Sequence, residues 1–248
     1  MTYATSSLYK TLFGGSRNGT NRTNRIIAPD MVILMGGSAN TFNSLFKDKK
    51  QFLIYVFANL IVQLGITYYV MMNYNAKPEV SHLMLFLSQL FIIFILALVP
   101  MPSWLKFILF SVFSLTFGIM LASLKKVVDP AIIKTALAGT LGIFGGMFLT
   151  GLGLLLSGIE LTGRFGFGLL CALMLLIVVS TVFMFMRNYS AAVKGLSIFG
   201  LFLFSLFVVY DTNTILQRNY YGDFITASLD YYLDIINIFV NLINFENR

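Results

Sequence analysis

The sequence predicts an all-α polytopic membrane protein, and three observations carry that prediction. Of its 248 residues 58% are hydrophobic and only 11% are charged, against about 25% charged in a soluble domain. The apolar runs are long, lack the alternation of barrel strands and hold few turn residues, which favours a helical bundle. The C-terminal stretch Phe224 to Asn244, FITASLDYYLDIINIFVNLIN, is apolar enough for a bilayer yet carries acidic and amide residues at helical spacing.

Residues 1–50 read as a basic polar N-terminal tail and 51–248 as the transmembrane domain. The tail holds seven basic residues (Lys10, Arg17, Arg22, Arg25, Lys47, Lys49 and Lys50) against Asp30 and Asp48, a net +5 of the +7 carried by the whole chain. Charge concentrated in a tail argues against nucleic acid as a partner. One reading makes this tail a cytoplasmic anchor of topology. The other makes it a targeting segment, since before Asp30 it is basic, hydroxyl-rich and free of acids, like a mitochondrial presequence. No apolar core of a secretory signal precedes the first span.

The first span is predicted at about Phe52 to Met72, followed by a loop with Pro78. The second covers about Leu83 to Val99 and stops at Pro100-Met101-Pro102, a break that folds spans two and three into an antiparallel hairpin. Trp104 suits the membrane interface there. The third span runs from about Leu105 to Leu124, and Lys125, Lys126, Asp129 and Lys134 mark the next loop. In the fourth, about Ala136 to Leu156, Ala138, Gly142, Gly146 and Thr150 repeat every four residues and predict a small face for close helix contact. Glu160 and Arg164 fall in the following turn. The fifth span covers about Phe167 to Met186, ended by Arg187, and the sixth about Val193 to Tyr210. Each is near the ~20 residues that cross a hydrocarbon core. With the tail inside and every segment crossing, ten basic residues lie inside and seven outside, so the positive-inside rule orients the chain through its tail alone.

The last segment concentrates the chemistry. Thr226, Asp230, Asp234, Asn237, Asn241 and Asn244 are spaced four, four, three, four and three apart, one narrow face of a helix. Just upstream Asp211 closes the sixth run in VVYDTNTI, with Asn213 beside it. A carboxylate at mid-membrane costs about 2.5–3.5 kcal/mol on insertion scales, so such residues face a bundle interior or a wet cavity. If Asp211 and Asp234 meet, both cannot be ionised cheaply and the pair shares a proton over some pH range. Protonated, it holds two helices together; deprotonated, it opens a gap and offers oxygens to a hard cation such as Ca²⁺. Asp230 either joins this pair or is solvated at the interface. Asn237 and Asn241 read as interhelical hydrogen-bonders rather than ion ligands. The opposing reading lays the final helix on the membrane surface. Surface helices carry Lys or Arg on their polar face, and there is none between Phe224 and Asn244.

These residues resemble the transmembrane Bax-inhibitor-motif family. The carrying segments are VVYDTNTI at 208–215 and SLDYYLDIINIFVNLI at 228–243, where Leu233-Asp234-Ile235-Ile236-Asn237 reads like the family signature. The stretch from Phe117 to Ile143 is also similar to the family's third and fourth spans, and the likeness covers about residues 50–245. The resemblance implies a seven-helix bundle with a central C-terminal helix. It implies a pH-sensitive Ca²⁺ leak or exchange activity, linked in eukaryotic and viral members to suppression of cell death. It maps the family's paired aspartates onto Asp211 and Asp234. Some members place an arginine at the second-to-third-span junction, latched to the first aspartate. Here that junction is Pro100-Met101-Pro102-Ser103-Trp104, without arginine, and Lys106 is the nearest cation.

Two functions follow. The first is a Ca²⁺ leak channel or Ca²⁺/H⁺ exchanger gated by Asp211 and Asp234, with Asp230, Asn213, Asn237 and Asn241 as a supporting polar seam. Ca²⁺ is then the transported ion, with the carboxylates of the two gating aspartates as its ligands, and no cofactor is required. The second is a non-conducting scaffold or subunit of a larger membrane complex. Partners are the bilayer, Ca²⁺ and protons, and membrane proteins. An endomembrane (endoplasmic reticulum or Golgi), a bacterial plasma membrane and the mitochondrial inner membrane all fit. An enzyme is not expected. Cys171 and His82 are the only residues of their kinds, and no metal-ligand cluster, nucleophile–base pair or nucleotide-binding glycine fingerprint is present.

Overall fold

The computed structural model describes residues 38–75, 82–184, 190–218 and 222–247. The tail to residue 37, the Pro78 loop with Lys77, Arg187 and Arg248 lie outside the described residues, as does the side chain of His82. Seven α-helices follow in chain order among the described residues: α1 Ser38–Asn73, α2 His82–Leu98, α3 Ser103–Ala122, α4 Pro130–Leu156, α5 Gly163–Met184, α6 Ser190–Arg218 and α7 Phe224–Glu246. The protein is an all-α polytopic membrane protein. Five of its helices contain stretches long and apolar enough to cross a bilayer: Lys49–Asn73, Ser103–Lys126, Pro130–Leu156, Gly163–Phe183 and Val193–Gln217. The helix α2 adds the shorter apolar run Met84–Leu98. Outward-facing Ile61, Phe91, Leu149, Phe167 and Phe202 are all more than 60% exposed. In a bilayer that surface meets acyl chains, and the backbone polar groups are satisfied within the helices.

The breaks follow local chemistry. Pro102 holds φ −65° and ψ 149° as the N-cap of α3, so the predicted α2–α3 hairpin forms and the two helices pack together. Asp129 caps α4, its carboxylate accepting from the Ala131 N–H at 2.7 Å with Pro130 in the first turn. Gly158, at φ 77°, turns the chain after α4 in a region a side chain would strain.

The helix α7 is the centre of the bundle. It packs on α6, α1 and α4 along its length and touches α3. Tyr231 and Tyr232 are adjacent yet both have no exposed surface, because α7 is covered on facing sides. Around Tyr232 stand Phe110, Phe113 and Phe117 of α3, with ring centroids 5.2–6.5 Å away. Around Tyr231 stand Phe57, Phe144 and Phe148 of α1 and α4, at 5.4–6.2 Å. The central C-terminal helix is therefore observed.

Two sequence expectations are corrected. The small face of α4 was expected to pack, but Ala138, Gly142, Gly146 and Thr150 are all exposed. Helix α4 meets the bundle through other positions: a Cβ at Gly151 would stand 2.6 Å from the Val209 carbonyl oxygen of α6, and one at Gly139 3.1 Å from Leu242 of α7. The physical reason is that bulky Phe144, Phe148 and Leu152 choose the buried face, leaving the four-residue repeat outside. The sixth span was expected to end at Tyr210, but α6 continues to Arg218. The polar run Asp211-Thr212-Asn213-Thr214 stays helical because it is buried against neighbours rather than released to water.

Candidate functional site

Helix α6 carries Asp211 and the central helix carries Asp234, and their crossing brings both inside. Asp211 is 8% exposed and Asp234 4%. The two carboxyl groups are close enough to act on each other electrostatically, and the charge of Asp230 acts on both. The Oδ2 atom of Asp234 is buried with no hydrogen-bond partner among the described residues. Beside them the Tyr231 hydroxyl donates to Thr212 Oγ1 at 3.1 Å. Asp234 lies ten residues into α7, about 15 Å along the helix axis at 1.5 Å per residue. Two facing carboxyls inside the bundle repel if both are ionised.

The other seam residues are not gathered on the pair. Asp230 is half-buried, one turn nearer the start of the helix. Asn213 is fully buried and committed elsewhere. Its Oδ1 accepts from the Leu161 N–H at 2.8 Å and from Gln217, and its Nδ2 donates to the Ile159 carbonyl at 2.9 Å. It stitches the α4–α5 turn to α6. Asn237 and Asn241 were expected to bond across helices, but their Nδ2 groups donate back to the Leu233 and Asn237 carbonyls at 2.7 and 2.8 Å. A short amide one turn on reaches its own helix before a neighbouring one. Asn241 is nevertheless seated against α6 at Gly200, where a Cβ would stand 2.5 Å from its Oδ1.

The nearest cation does not reach Asp211. Lys106 of α3 pairs with Asp223, the N-cap of α7, and donates to Thr226 Oγ1 at 3.2 Å. Asp223 also accepts from the Thr226 N–H at 3.1 Å and its hydroxyl at 2.8 Å. Partial burial pushes the Asp223 carboxyl up. The Lys106 hydrogen bond and charge, with the Thr226 bonds, outweigh it and hold the group below the usual carboxylate range.

A second polar system went unread in the sequence. Asn59, Gln63 and Thr67 form a buried stripe on α1. Asn59 donates to Ser228 of α7. Gln63 donates to Ser111 at 3.2 Å and accepts from Ser114 at 2.9 Å, both on α3. Thr67 bonds the Tyr232 hydroxyl and the Ser114 carbonyl. The signal was there, as three polar residues four apart in an apolar span. This stripe ties α7 to α1 and α3 on the side away from the aspartates and so fixes the rotation at which Asp234 meets Asp211.

Comparison with known proteins places this arrangement. The family model described as inhibitor of apoptosis-promoting Bax1 matches residues 49–247. An uncharacterized protein of Deinococcus radiodurans is 30% identical over 202 residues, 77% of this chain and 85% of that protein. Protein lifeguard 4 of Mus musculus is 30% identical over 159 residues, 64% of this chain and 65% of that protein. The Golgi anti-apoptotic protein of Vaccinia virus (strain Lister) is 35% identical over 80 residues, about a third of either chain.

Proposed function

The chain belongs to the family of inhibitors of apoptosis-promoting Bax1, and from that premise we propose that it is a Ca²⁺ leak or Ca²⁺/H⁺ exchanger gated by Asp211 and Asp234. The observation that carries the reading is the pair of buried carboxyls, one on α6 and one on the central helix. Holding the shared proton, they keep α6 and α7 together. Losing it, they repel, admit water and present oxygens to a hard cation. Ca²⁺ takes six to eight oxygens, and the described residues hold no cluster of three or more potential metal-binding His, Cys, Asp or Glu side chains. The pair thus suits an ion in transit that keeps water ligands. The function uses no cofactor and no catalytic step. Its setting is an endomembrane, in keeping with the viral relative named for the Golgi, and its consequence is modulation of cell death.

One observation favours a second reading, a non-conducting scaffold. Lys106 is committed to Asp223 and so does not hold Asp211 in place. Ca²⁺ flux through the purified protein in liposomes, stepped from about pH 6 to about pH 8, separates the two. The gate predicts flux that rises with pH in the wild type and loses its pH dependence in Asp234→Asn. Folded protein without flux at any pH, recovered in a stable membrane complex, establishes the scaffold.

A further inference from the structure

A cavity of about 280 Å³ lies where α1 ends and α4 begins, far along the chain from the aspartate pair. Its walls are Tyr68 and Met72 of α1 with Ile133 and Leu137 of α4, and Lys125, Pro130 and Lys134 complete its lining. Ile133 is the buried floor, 8% exposed, while Tyr68, Met72 and Leu137 are 39–50% exposed and open the cavity outward. Both walls belong to helices apolar enough to cross the membrane. The open side therefore faces acyl chains, at the depth where chains give way to headgroups.

The charge at this end is lopsided. Lys125, Lys126 and Lys134 lie within ten residues, against Asp129 alone. Asp129 is partly spent on the Ala131 N–H as the cap of α4. Lys125 is fixed over the cavity by donating to the Met72 carbonyl at 2.6 Å. An ammonium has three donors, so two remain. Lys134 is exposed and forms no ion pair among the described residues. The volume is at the lower edge of small-ligand sites, roughly 300–1,000 Å³, enough for a segment of one chain and not for a whole lipid.

We propose that this cavity binds an anionic phospholipid of the surrounding bilayer, a segment of one acyl chain between Tyr68, Met72, Ile133 and Leu137 and the phosphate on Lys125 and Lys134. A soluble apolar ligand would leave the two ammonium groups without a purpose, and inorganic phosphate would leave the apolar walls uncovered. A basic residue near an anionic lipid surface contributes an affinity factor of about five.

The test uses the full chain in phosphatidylcholine nanodiscs doped with phosphatidylglycerol, with bound lipid counted by native mass spectrometry and melting temperature followed in parallel. Phosphatidylglycerol is expected to be retained over phosphatidylcholine and to raise the melting temperature. Lys134→Gln should weaken retention about fivefold, Leu137→Trp should block it by filling the cavity, and Lys194→Gln, an exposed lysine on α6, should leave it unchanged. Lys134 is exposed, so its variant keeps the fold. Equal retention of the two lipids overturns the proposal. So does retention unaffected by Lys134→Gln, or a melting shift reproduced by inorganic phosphate or oleate alone.

Discussion

Among single residues, Asp223 shows how one side chain can serve two ends. It caps α7 through Thr226 and pairs with Lys106 of α3. Asp223→Asn keeps the cap and removes the charge. Because the folded carboxyl is held below its unfolded value of about 4, the pair stabilises above that value and its contribution fades as pH falls through the folded one. A melting series in detergent should therefore show Asp223→Asn less stable than wild type by up to about 1 kcal/mol. That difference should be constant from about pH 5 to about pH 8 and close in stronger acid. Sequence pattern singled out Asp211 and Asp234 because acids are rare in apolar runs, and Asp234 also sits in a set at helical spacing. It assigned Asn213 to the same seam because an amide in a polar run gives no hint of its partners. Those partners are backbone groups of Ile159 and Leu161, more than fifty residues upstream.

Among elements, the helices were legible and their facing sides were not. Hydropathy located the core of each span, since crossing a bilayer demands continuous apolar length. It shortened α6 by eight residues, because Asp211 to Thr214 look like an exit when burial is unknown. It also took the conspicuous four-residue repeat of α4 for the contact face, whereas the contact rests on Gly151 against the α6 backbone. Gly151→Ala drives a methyl to 2.6 Å from the Val209 oxygen. It should cost about 1–3 kcal/mol, the usual penalty for overpacking, read as a lowered melting temperature. Gly142→Ala and Gly146→Ala meet nothing within 4 Å. They should leave the melting temperature unchanged or raise it slightly, through the better helix propensity of alanine.

At the scale of the whole molecule, three of the contact systems described above converge on α7. The aspartate pair, the two aromatic boxes around Tyr231 and Tyr232 and the polar stripe of α1 all need it in place. Yet α7 is not among the five helices apolar enough to cross by composition alone. Asp230 and Asp234 each oppose partition into lipid by about 2.5–3.5 kcal/mol near the centre of a helix. A reporter of membrane insertion fused after residues 222–248 alone should therefore stay largely untranslocated. The same reporter after residues 38–248 should show α7 embedded. The ribosome delivers α7 after α1, α3, α4 and α6, the helices that pack on it. Manufacture of this protein thus has a waiting stage, in which a half-built ring stands with Asp211 facing an empty slot. The step that seats α7 is docking into protein, not dissolution in lipid, and whatever tends membrane chains during synthesis has to shield that slot until α7 arrives.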